Sequence, residues 1–304
     1  MKVLVTGGAG FIGSWVTRVL VGGGHEVAVL DNLSKGFREL VPEGVRLIEG
    51  DLRDERLPEW LRGHDAVIHM AAFIEVGRSV EEPVLFAENN IVNGVRLLEA
   101  MHRADVGKIV FSSSATVYGV PARLPIREED PLGAQNNPYG ATKVSMEAFV
   151  ATYNQLYGMD ALILRYFNPY GPNEMHEPET HAIPNFIKAV LAKKAIPLYW
   201  KGEIVRDYFY VEDLARAHTA VLGLSGLQYF NVGSETGAKT IDVLREIMDI
   251  AGYEVPIEDL GERAGDVPAS YASSAKLMAA TGWRAEVGLR EGLGRTVEWF
   301  RSRS

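Results

Sequence analysis

A tyrosine and a lysine four residues apart, Tyr139 and Lys143, are the side chains of this sequence best suited to acid–base chemistry. On a helix, this spacing places both side chains on one face. An ammonium group beside a phenol favours the phenolate and, with help from a cationic ring of a bound cofactor, moves the pKa of the tyrosine toward the working pH. Taken alone, such a pair is most often an ordinary helix face. Its interpretation depends on the elements that position it.

A cluster of serines ends at Ser114, just beyond a predicted strand over residues 108–112. A hydroxyl at the end of a strand can assist a tyrosine that moves a proton. The serines, together with a glycine-rich motif near the N-terminus, favour the functional interpretation of Tyr139 and Lys143.

That glycine-rich motif lies between the first predicted strand and the first predicted helix and reads TGGAGFIG from residue 6 to residue 13. Gly7 permits a tight turn, Gly10 lets backbone N–H groups approach a pyrophosphate, and Gly13 lets the helix pack closely on the sheet. Because strand, glycines and helix follow in the required order, the motif predicts a dinucleotide site rather than a flexible turn.

Three more strand ends carry residues that suit a dinucleotide. Asp31 follows the second strand, about 20 residues past the last glycine, where a carboxylate accepts hydrogen bonds from ribose and repels a 2′-phosphate, so NAD is favoured over NADP. Asp51 follows the third strand and either lies at the adenine end or caps a helix. Ala71 follows the fourth strand, where a small residue suits either a cofactor lying across the strand ends or a plain loop.

The composition excludes several classes of function. The 304 residues carry a net charge of −9, so binding to nucleic acid is not expected. The absence of cysteine rules out disulfides and thiolate chemistry and is consistent with a cytoplasmic protein. The seven scattered histidines form no metal-binding pair, and no apolar stretch or N-terminal signal predicts a membrane segment or secretion.

Short β-branched runs alternate with amphipathic stretches, which predicts an α/β fold with a doubly wound, Rossmann-type parallel sheet. Strands are predicted over 2–6, 26–30, 45–49, 66–70, 108–112, 161–166 and 229–232, and helices over 11–21, 84–102, 139–157, 240–251, 275–281 and 289–300. After residue 166, closely spaced prolines predict irregular structure and the start of a smaller C-terminal α/β lobe.

Characteristic stretches occur along nearly the whole chain: TGGAGFIG, DNLS, GDLRD, AAFIEVGRSV, SSSATVYG, NPYGATK, RYFN, VRDYFYVEDLA, FNVG and RAGDVPASYA. In this combination the chain resembles the extended short-chain dehydrogenase/reductases and, within them, the UDP-glucose (galactose) 4-epimerases. The resemblance implies that Ser114, Tyr139 and Lys143 are catalytic. It further implies a bound NAD with these residues close to it: Gly7, Gly10, Phe11, Ile12, Asp31, Asn32, Asp51, Leu52, Asn90 and Tyr166.

The resemblance also implies a UDP-sugar substrate held by the C-terminal lobe. Positions similar to the UDP-binding positions of the family are Asn168, Arg206, Tyr208, Arg263 and Asp266, and Tyr199 or Trp200 is a candidate for stacking on uracil. A guanidinium can hold diphosphate oxygens in a bidentate manner, although a single arginine is more often in a surface ion pair and a single aromatic residue in the core. In the family, the position that corresponds to Ser270 borders the sugar pocket, so this small residue is expected to leave room for an N-acetyl group, unless a shift of one residue places Tyr271 there instead.

Two features depart from the family pattern. Many 4-epimerases have a lysine where this chain has Ile74, and many have a glycine where it has Trp200.

The turn after Ser114 separates the possible reactions. Sugar dehydratases and decarboxylases of this family need a carboxylate there, whereas this chain has Ala115 and Thr116. Together with the resemblance, this makes a UDP-glucose/UDP-galactose 4-epimerase that works through a transient 4-keto sugar with tightly bound NAD the main prediction. A 4-epimerase of another UDP-sugar, such as an N-acetylhexosamine or hexuronate, and a non-catalytic NAD-sensing protein remain as alternatives.

The predicted organisation follows from these assignments. An NAD-binding domain is predicted over residues 1–167, and the chain returns to this domain near residues 206–232. Residues 168–304 are predicted to form most of a UDP-sugar-binding lobe. Within the family, helices at positions 84–102 and 139–157 pair across a homodimer, although their apolar faces are equally consistent with an internal core.

Overall fold

A parallel sheet of seven strands forms the centre of the fold in the computed structural model, which describes residues 1–175, 181–262 and 267–303. Its strands are β1 (Lys2–Thr6), β2 (Glu26–Asp31), β3 (Arg46–Glu49), β4 (Ala66–His69), β5 (Lys108–Ser114), β6 (Asp160–Tyr166) and β11 (Leu227–Val232). Their order across the sheet is β11-β6-β5-β4-β1-β2-β3. The chain changes direction between β1 and β4, and the carboxyl ends of these strands border the crevice that such folds use for ligands.

Helices cover both faces of this sheet, because successive side chains of a strand point to opposite sides. The helices of this region are α1 (Phe11–Gly22), α2 (Leu57–Leu61), α3 (Val76–Glu81), α4 (Pro83–Ala87), α5 (Asn93–Arg103), α6 (Pro138–Tyr157) and α8 (Val211–Val221). Val3 and Val5 of β1 pack with residues of α1 and α8, whereas Leu4 packs with residues of α2, α5 and α6. The two apolar clusters thus lie on opposite faces of one sheet.

The second lobe is smaller and has its own apolar core. Its helices are α7 (Ala182–Leu191), α9 (Thr240–Ala251) and α11 (Leu289–Arg301), and its short strands are β7 (Asn168–Tyr170), β8 (Ile196–Leu198), β9 (Val205–Arg206), β10 (Tyr208–Tyr210), β12 (Ala238–Lys239), β13 (Ile257–Asp259) and β14 (Ala269–Ser270). Residues of α7, α9 and α11 interdigitate in this core. Helix α10 (Ala275–Thr281) instead packs on β11 of the central sheet through Leu277. Strand β7 pairs with β10, β8 with β13, and β9 with both β12 and β14.

The predicted fold class is confirmed, and the seven predicted strands lie within a few residues of the observed ones. The helix predicted over 84–102 is interrupted, since a π-helical turn at Glu88–Val92 separates α4 from α5. Within that turn, the Asn90 carboxamide binds both the N–H and the carbonyl of Phe73. This bond ties the helix to the loop after β4, and π-helical turns of this kind are frequent at functional sites.

The region after residue 166 is more regular than the prolines predicted, because α7 and α8 were not foreseen. Pro184 lies in the first turn of α7, where a backbone N–H has no partner within the helix and a proline therefore costs little.

A buried ion pair joins α6 to the sheet. The Arg165 guanidinium on β6 donates to both carboxylate oxygens of Glu147 on α6, at 2.9 and 2.7 Å, and the Ser113 hydroxyl of β5 donates to the same carboxylate at 2.6 Å. Arg165 also donates to the hydroxyl of Tyr118 at 2.9 Å. Each charge is buried and depends on the other for its solvation.

We expect Glu147→Gln to lower the free energy of unfolding by about 3 to 5 kcal/mol, because it leaves the Arg165 guanidinium buried without its counter-charge. Urea denaturation followed by circular dichroism measures the difference. The matched control is Glu298→Gln, which breaks the exposed contact with Arg301 at 3.5 Å and should cost less than about 1 kcal/mol. Equal losses in the two variants would contradict this assignment.

Candidate active site

A cleft of about 1570 Å³ lies along the carboxyl ends of the central strands and continues between the sheet and the second lobe. Most of the residues predicted for the site line it: Gly7, Gly10, Phe11, Ile12, Gly13, Asp31, Asn32, Asp51, Leu52, Ala71, Ser114, Tyr139, Lys143, Tyr166, Asn168, Tyr199, Arg206 and Tyr208. Residues that are distant in the sequence therefore share one continuous wall.

The glycine turn after β1 leaves no room for a side chain at Gly7 or at Gly13. Gly7 has φ +73°, and a Cβ there would lie 2.8 Å from the backbone nitrogen of Ala71. A Cβ at Gly13 would lie 2.2 Å from the carbonyl oxygen of Gly7. Helix α1 begins at Phe11, and no side chain caps its N-terminus at Gly10. The turn thus exposes the positive end of a helix to the cleft, as a diphosphate requires.

Asp31 lies at the next strand end and is nearly buried. Its carboxylate oxygens accept backbone N–H groups from Ala9 and Leu33 at 3.0 and 2.9 Å. Burial raises the pKa of Asp31, and these two hydrogen bonds act in the opposite direction. The bonds orient the carboxylate beside the glycine turn and leave each oxygen with capacity for a further donor.

Asp51 and Asn32 form a second polar pair on the same wall. The Asn32 amide donates to Asp51 at 2.8 Å, and Arg53 donates to both oxygens of Asp51. These hydrogen bonds, chiefly the one from Arg53, hold the pKa of Asp51 far below its usual range despite some burial. The carboxylate is therefore ionised and held in place from two sides.

Asn90 does not line the cleft, unlike the other residues predicted for the cofactor. Its carboxamide is occupied by Phe73 and by the Thr142 hydroxyl, 3.1 Å away. Asn90 thus stabilises the loop after β4 from the side that faces away from the cleft. Its predicted contact with NAD remains a prediction that this placement does not support.

Tyr139 and Lys143 lie at the start of α6, which begins at Pro138. The Asn137 carboxamide caps the helix by accepting the N–H of Gly140 at 2.8 Å. Tyr139 is 9% exposed, and the neighbouring Ser114 hydroxyl acts to lower the pKa of its phenol. The Lys143 ammonium donates to the carbonyl of Ser112 at 2.7 Å and lies 5.8 Å from the centroid of the Tyr139 ring. The three predicted catalytic side chains therefore meet at one point of the cleft.

Burial is the largest influence on the pKa values of Tyr139 and Lys143. It raises the pKa of Tyr139 to about 12, against the opposing effect of the Ser114 hydrogen bond. Burial also lowers the pKa of Lys143 to about 8, while the Glu147 carboxylate one turn further along α6 acts to raise it. The expected lowering of the tyrosine pKa is thus not produced by the protein groups alone, because the ammonium is bonded to a carbonyl and the phenol is removed from water.

Tyr166 lies beside Tyr139 at the end of β6. Its hydroxyl is hydrogen-bonded to Nε2 of His218 at 2.5 Å, and Nδ1 of His218 donates to the carbonyl of Leu214 at 2.9 Å. Burial lowers the pKa of His218 to about 4, so its ring is neutral near pH 7. Burial also raises the pKa of Tyr166 well above its ordinary value.

The other end of the cleft is formed by the second lobe. Asn168 and Tyr208 lie on the paired strands β7 and β10, and Arg206 lies on β9. The Arg206 guanidinium donates to the carbonyls of Val205 and Val267 at 2.8 Å each. Tyr199 is partly exposed on the same wall. Arg263 and Asp266 lie outside the described residues.

Ser270 and Trp200 do not line the cleft. Ser270 pairs in register with Arg206, and its carbonyl accepts the N–H of Asp207 at 3.1 Å. The strand therefore lies beside the cleft, and the prediction that Ser270 borders the sugar has no support from its position. Trp200 has φ +52°, the left-handed conformation that glycine adopts more easily.

Four charged or titratable residues of the cleft wall were not identified from the sequence. Lys35 and Glu75 form one ion pair, and Glu174 and His181 approach each other to 2.6 Å. Lys35 and Glu75 follow the second and fourth strands, which is a signal that sequence reasoning could have used. Glu174 and His181 lie in the proline-rich region, where the sequence offered no periodicity to place them.

Two kinds of feature are absent from the parts of the chain that the structure describes. No group of three or more His, Asp or Glu side chains there is arranged to hold a metal ion. None of the described helices combines the length and the apolar character that crossing a bilayer requires.

Comparison with known proteins agrees with this geometry. Residues 3–233 match the NAD dependent epimerase/dehydratase family. A UDP-glucose 4-epimerase of Corynebacterium glutamicum is 39% identical over 94% of this chain and 91% of that protein.

Two crystal structures are similar over essentially the whole chain. A UDP-glucose 4-epimerase of Thermus thermophilus, in complex with NAD, has a TM-score of 0.92 at 39% identity, with 100% of both chains covered. A UDP-glucose 4-epimerase of Thermotoga maritima, with UDP-glucose, has a TM-score of 0.94 at 34% identity, with 100% of this chain and 99% of that chain covered. The sequence match, the shared fold and the glycine turn lead to one conclusion: this chain belongs to the NAD dependent epimerase/dehydratase family.

Proposed function

We propose that the protein is a UDP-glucose/UDP-galactose 4-epimerase that works through a transient 4-keto sugar with tightly bound NAD. The observation that carries this proposal is the meeting of Ser114, Tyr139 and Lys143 in one cleft with the glycine turn. The relatives of similar sequence and structure, which are UDP-glucose 4-epimerases, support the same reaction.

The residues present fit NAD. The glycine turn forms a cradle that a Cβ at Gly7 or Gly13 would fill, and α1 directs its uncapped N-terminus into it. Asp31 presents a carboxylate to the neighbouring ribose position, and its charge opposes a 2′-phosphate, so NAD is preferred to NADP. When bound, NAD supplies a reversible hydride acceptor for C4 of the sugar and adds positive charge to the cleft.

Tyr139 acts as the acid and base. Its phenolate takes the proton of the sugar 4-hydroxyl and later returns it to the 4-keto oxygen. Because burial holds the pKa of Tyr139 at about 12, the phenolate depends on positive charge in the cleft, to which Lys143 contributes. Ser114, whose hydroxyl neighbours Tyr139, is proposed to position the sugar 4-hydroxyl from which the proton comes.

The second lobe anchors the nucleotide while the sugar turns. We assign the diphosphate and ribose to Asn168, Arg206 and Tyr208, with Arg263 and Asp266 as further proposed contacts, and the uracil to Tyr199. We propose that residues 1–167 bind the cofactor, in a domain to which the chain returns near residues 206–232. Residues 168–304 are proposed to bind most of the UDP-sugar. The packing of α8 against α1 and the place of β11 in the central sheet support this return.

The turn after Ser114 argues against elimination. Ala115 and Thr116 begin a short 3₁₀ turn at the cleft, and neither can transfer a proton as a carboxylate does. The presence of the whole group Ser114, Tyr139 and Lys143 likewise favours an enzyme over a sensing protein.

We also propose a homodimer. Large apolar side chains are exposed on α4, α6 and the π-helical turn between α4 and α5, namely Val84, Val92, Phe149 and Leu156. Helices α5 and α6 lie side by side, since His102 stacks on Tyr157 with ring centroids 4.1 Å apart. Helix α6 also packs against α4 and the π-helical turn, so the exposed apolar side chains lie on neighbouring elements, and a surface of this kind is suited to packing against its own copy. The cysteine-free composition supports a cytoplasmic location for this assembly.

Tyr139→Phe should reduce turnover by about 100-fold to 10,000-fold, because it removes the proposed acid–base group and keeps the shape of the ring. Interconversion of UDP-glucose and UDP-galactose by NMR, without added cofactor, measures this loss, and UDP binding should barely change. The matched control is Tyr157→Phe at the exposed end of the same helix, which should keep normal turnover. Normal turnover in Tyr139→Phe would contradict the mechanism.

Arg206→Ala should weaken UDP binding at least about tenfold, the effect of losing a hydrogen bond to a charged group worth roughly 1.5 to 3 kcal/mol. Arg263→Ala is expected to act in the same way. Isothermal titration with UDP gives the dissociation constants, and the exposed Arg245→Ala provides the control. If Arg206→Ala binds UDP as tightly as the control, the nucleotide site lies elsewhere.

Leu156→Glu should convert the dimer to a monomer, because a carboxylate on the apolar face cannot be paired with its symmetry mate without repulsion. Light scattering after size exclusion measures the mass. Val120→Glu changes an equally exposed apolar residue outside these helices and should leave the mass unchanged. A monomeric wild-type protein would refute the dimer.

A further inference from the structure

An ion pair between Lys35 and Glu75 connects two loops at the cofactor half of the cleft. The Lys35 ammonium lies 3.0 Å from Oε1 of Glu75, and both residues line the cleft. Lys35 belongs to the loop after β2, and Glu75 ends the loop after β4. The mechanism described above uses neither residue.

The strand order determines what this ion pair spans. β1 lies between β4 and β2 in the sheet, and all three strands are parallel. The loops that follow β4 and β2 therefore leave the same edge of the sheet, on either side of the end of β1. A side-chain contact between these loops must cross the end of β1, where the glycine turn begins.

Both loops also contact the glycine turn directly. The Phe37 N–H donates to the carbonyl of Ala9 at 2.9 Å, and a Cβ at Gly36 would lie 2.9 Å from the Cβ of Ala9. On the other side, Ala71 is the residue that a Cβ at Gly7 would meet. The glycine turn, the two loops and the ion pair thus form a closed ring of contacts around the position where a diphosphate binds.

The two partners of the pair differ in how firmly they are held. The side chain of Glu75 is 8% exposed, and its Oε2 accepts the N–H of Ile74 at 3.1 Å. Although burial acts to raise the pKa of Glu75, backbone hydrogen bonds and Lys35 lower it below the usual value, so the carboxylate is ionised. Asn90 fixes the same loop by holding Phe73. The side chain of Lys35 is 42% exposed, so it is the partner with room to swing away.

We propose that the Lys35–Glu75 ion pair is a bridge of the cofactor site that closes over the dinucleotide and slows its dissociation. This inference rests on the proposed function, which supplies NAD as the bound dinucleotide and requires that it stay bound through many turnovers. Lys35 and Glu75 are positioning residues in this scheme, because they act on the retention of NAD and not on the proton.

Charge repulsion alone predicts the opposite change in NAD release when Glu75 is neutralised. The direction of that change therefore tests the proposal. A carboxylate beside a diphosphate repels it, so removing that charge should strengthen NAD binding and slow its release. If Glu75 instead anchors the bridge, removing its charge opens the ring and speeds release. Glu75→Gln keeps the size of the side chain and separates the two cases.

The test measures NAD release from the purified, NAD-containing protein. Alcohol dehydrogenase with ethanol reduces each NAD that is released, and the absorbance at 340 nm follows the rate. We expect Glu75→Gln and Lys35→Met each to speed release by about tenfold or more, as for the loss of a charged hydrogen bond. Glu291→Gln, which removes an exposed partner of Arg295 on α11 away from the cleft, is the matched control and should release NAD at the wild-type rate.

The double variant, Lys35→Met with Glu75→Gln, tests whether the residues act as a pair. If the two residues form one bridge, the double variant should release NAD no faster than either single variant. Additive effects, an unchanged rate in Glu75→Gln, or a slower rate in Glu75→Gln would each overturn the bridge while leaving the epimerase proposal intact. A wild-type protein that neither contains nor binds NAD would instead overturn the proposed function and the bridge with it.

Discussion

The buried ion pair between Glu147 and Arg165 is the interaction on which the geometry of the site depends. Tyr139, Lys143 and Glu147 follow one another at four-residue intervals on α6, so they share one face of the helix. Glu147 is bonded to β5 through Ser113 and to β6 through Arg165. Any sliding or rotation of α6 would break these bonds, and the phenol and ammonium are therefore held at the ends of the same two strands.

The parallel sheet supplies the second constraint. Its strands end at one edge, so the ends of β1, β2, β4 and β5 bring the glycine turn, Asp31, Ala71 and Ser114 to a common wall. The chain then leaves the sheet after β6, builds the opposite wall with β7, α7 and β9, and returns through α8 to add β11. Because α8 packs on α1, the lobe that holds the proposed nucleotide site is anchored to the helix that begins at the glycine turn.

The sequence was most informative where local chemistry and local structure coincide. The glycine turn, the strand ends and the spacing of Tyr139 and Lys143 each follow from a pattern within a short stretch, and the structure brings these residues together. It was least informative where a contact joins distant segments. The bond of Asn90 to Phe73, the pairing of Ser270 with Arg206 and the burial that raises the pKa of Tyr139 all depend on tertiary packing. The same is true of α7, because Pro184 is typical of a loop unless it lies in the first turn of a helix.

The hydrogen bond between Tyr166 and His218 fixes the orientation of the Tyr166 hydroxyl at the cleft wall. The neutral ring of His218 has one N–H group, and Nδ1 donates it to the carbonyl of Leu214. Nε2 is therefore an acceptor, and the Tyr166 hydroxyl donates to it. The hydrogen of the Tyr166 hydroxyl is therefore committed to His218, and this residue of the cleft wall has no phenolic hydrogen left to donate elsewhere. His218, although fully buried, thus fixes the hydrogen-bonding role of a residue that lines the cleft.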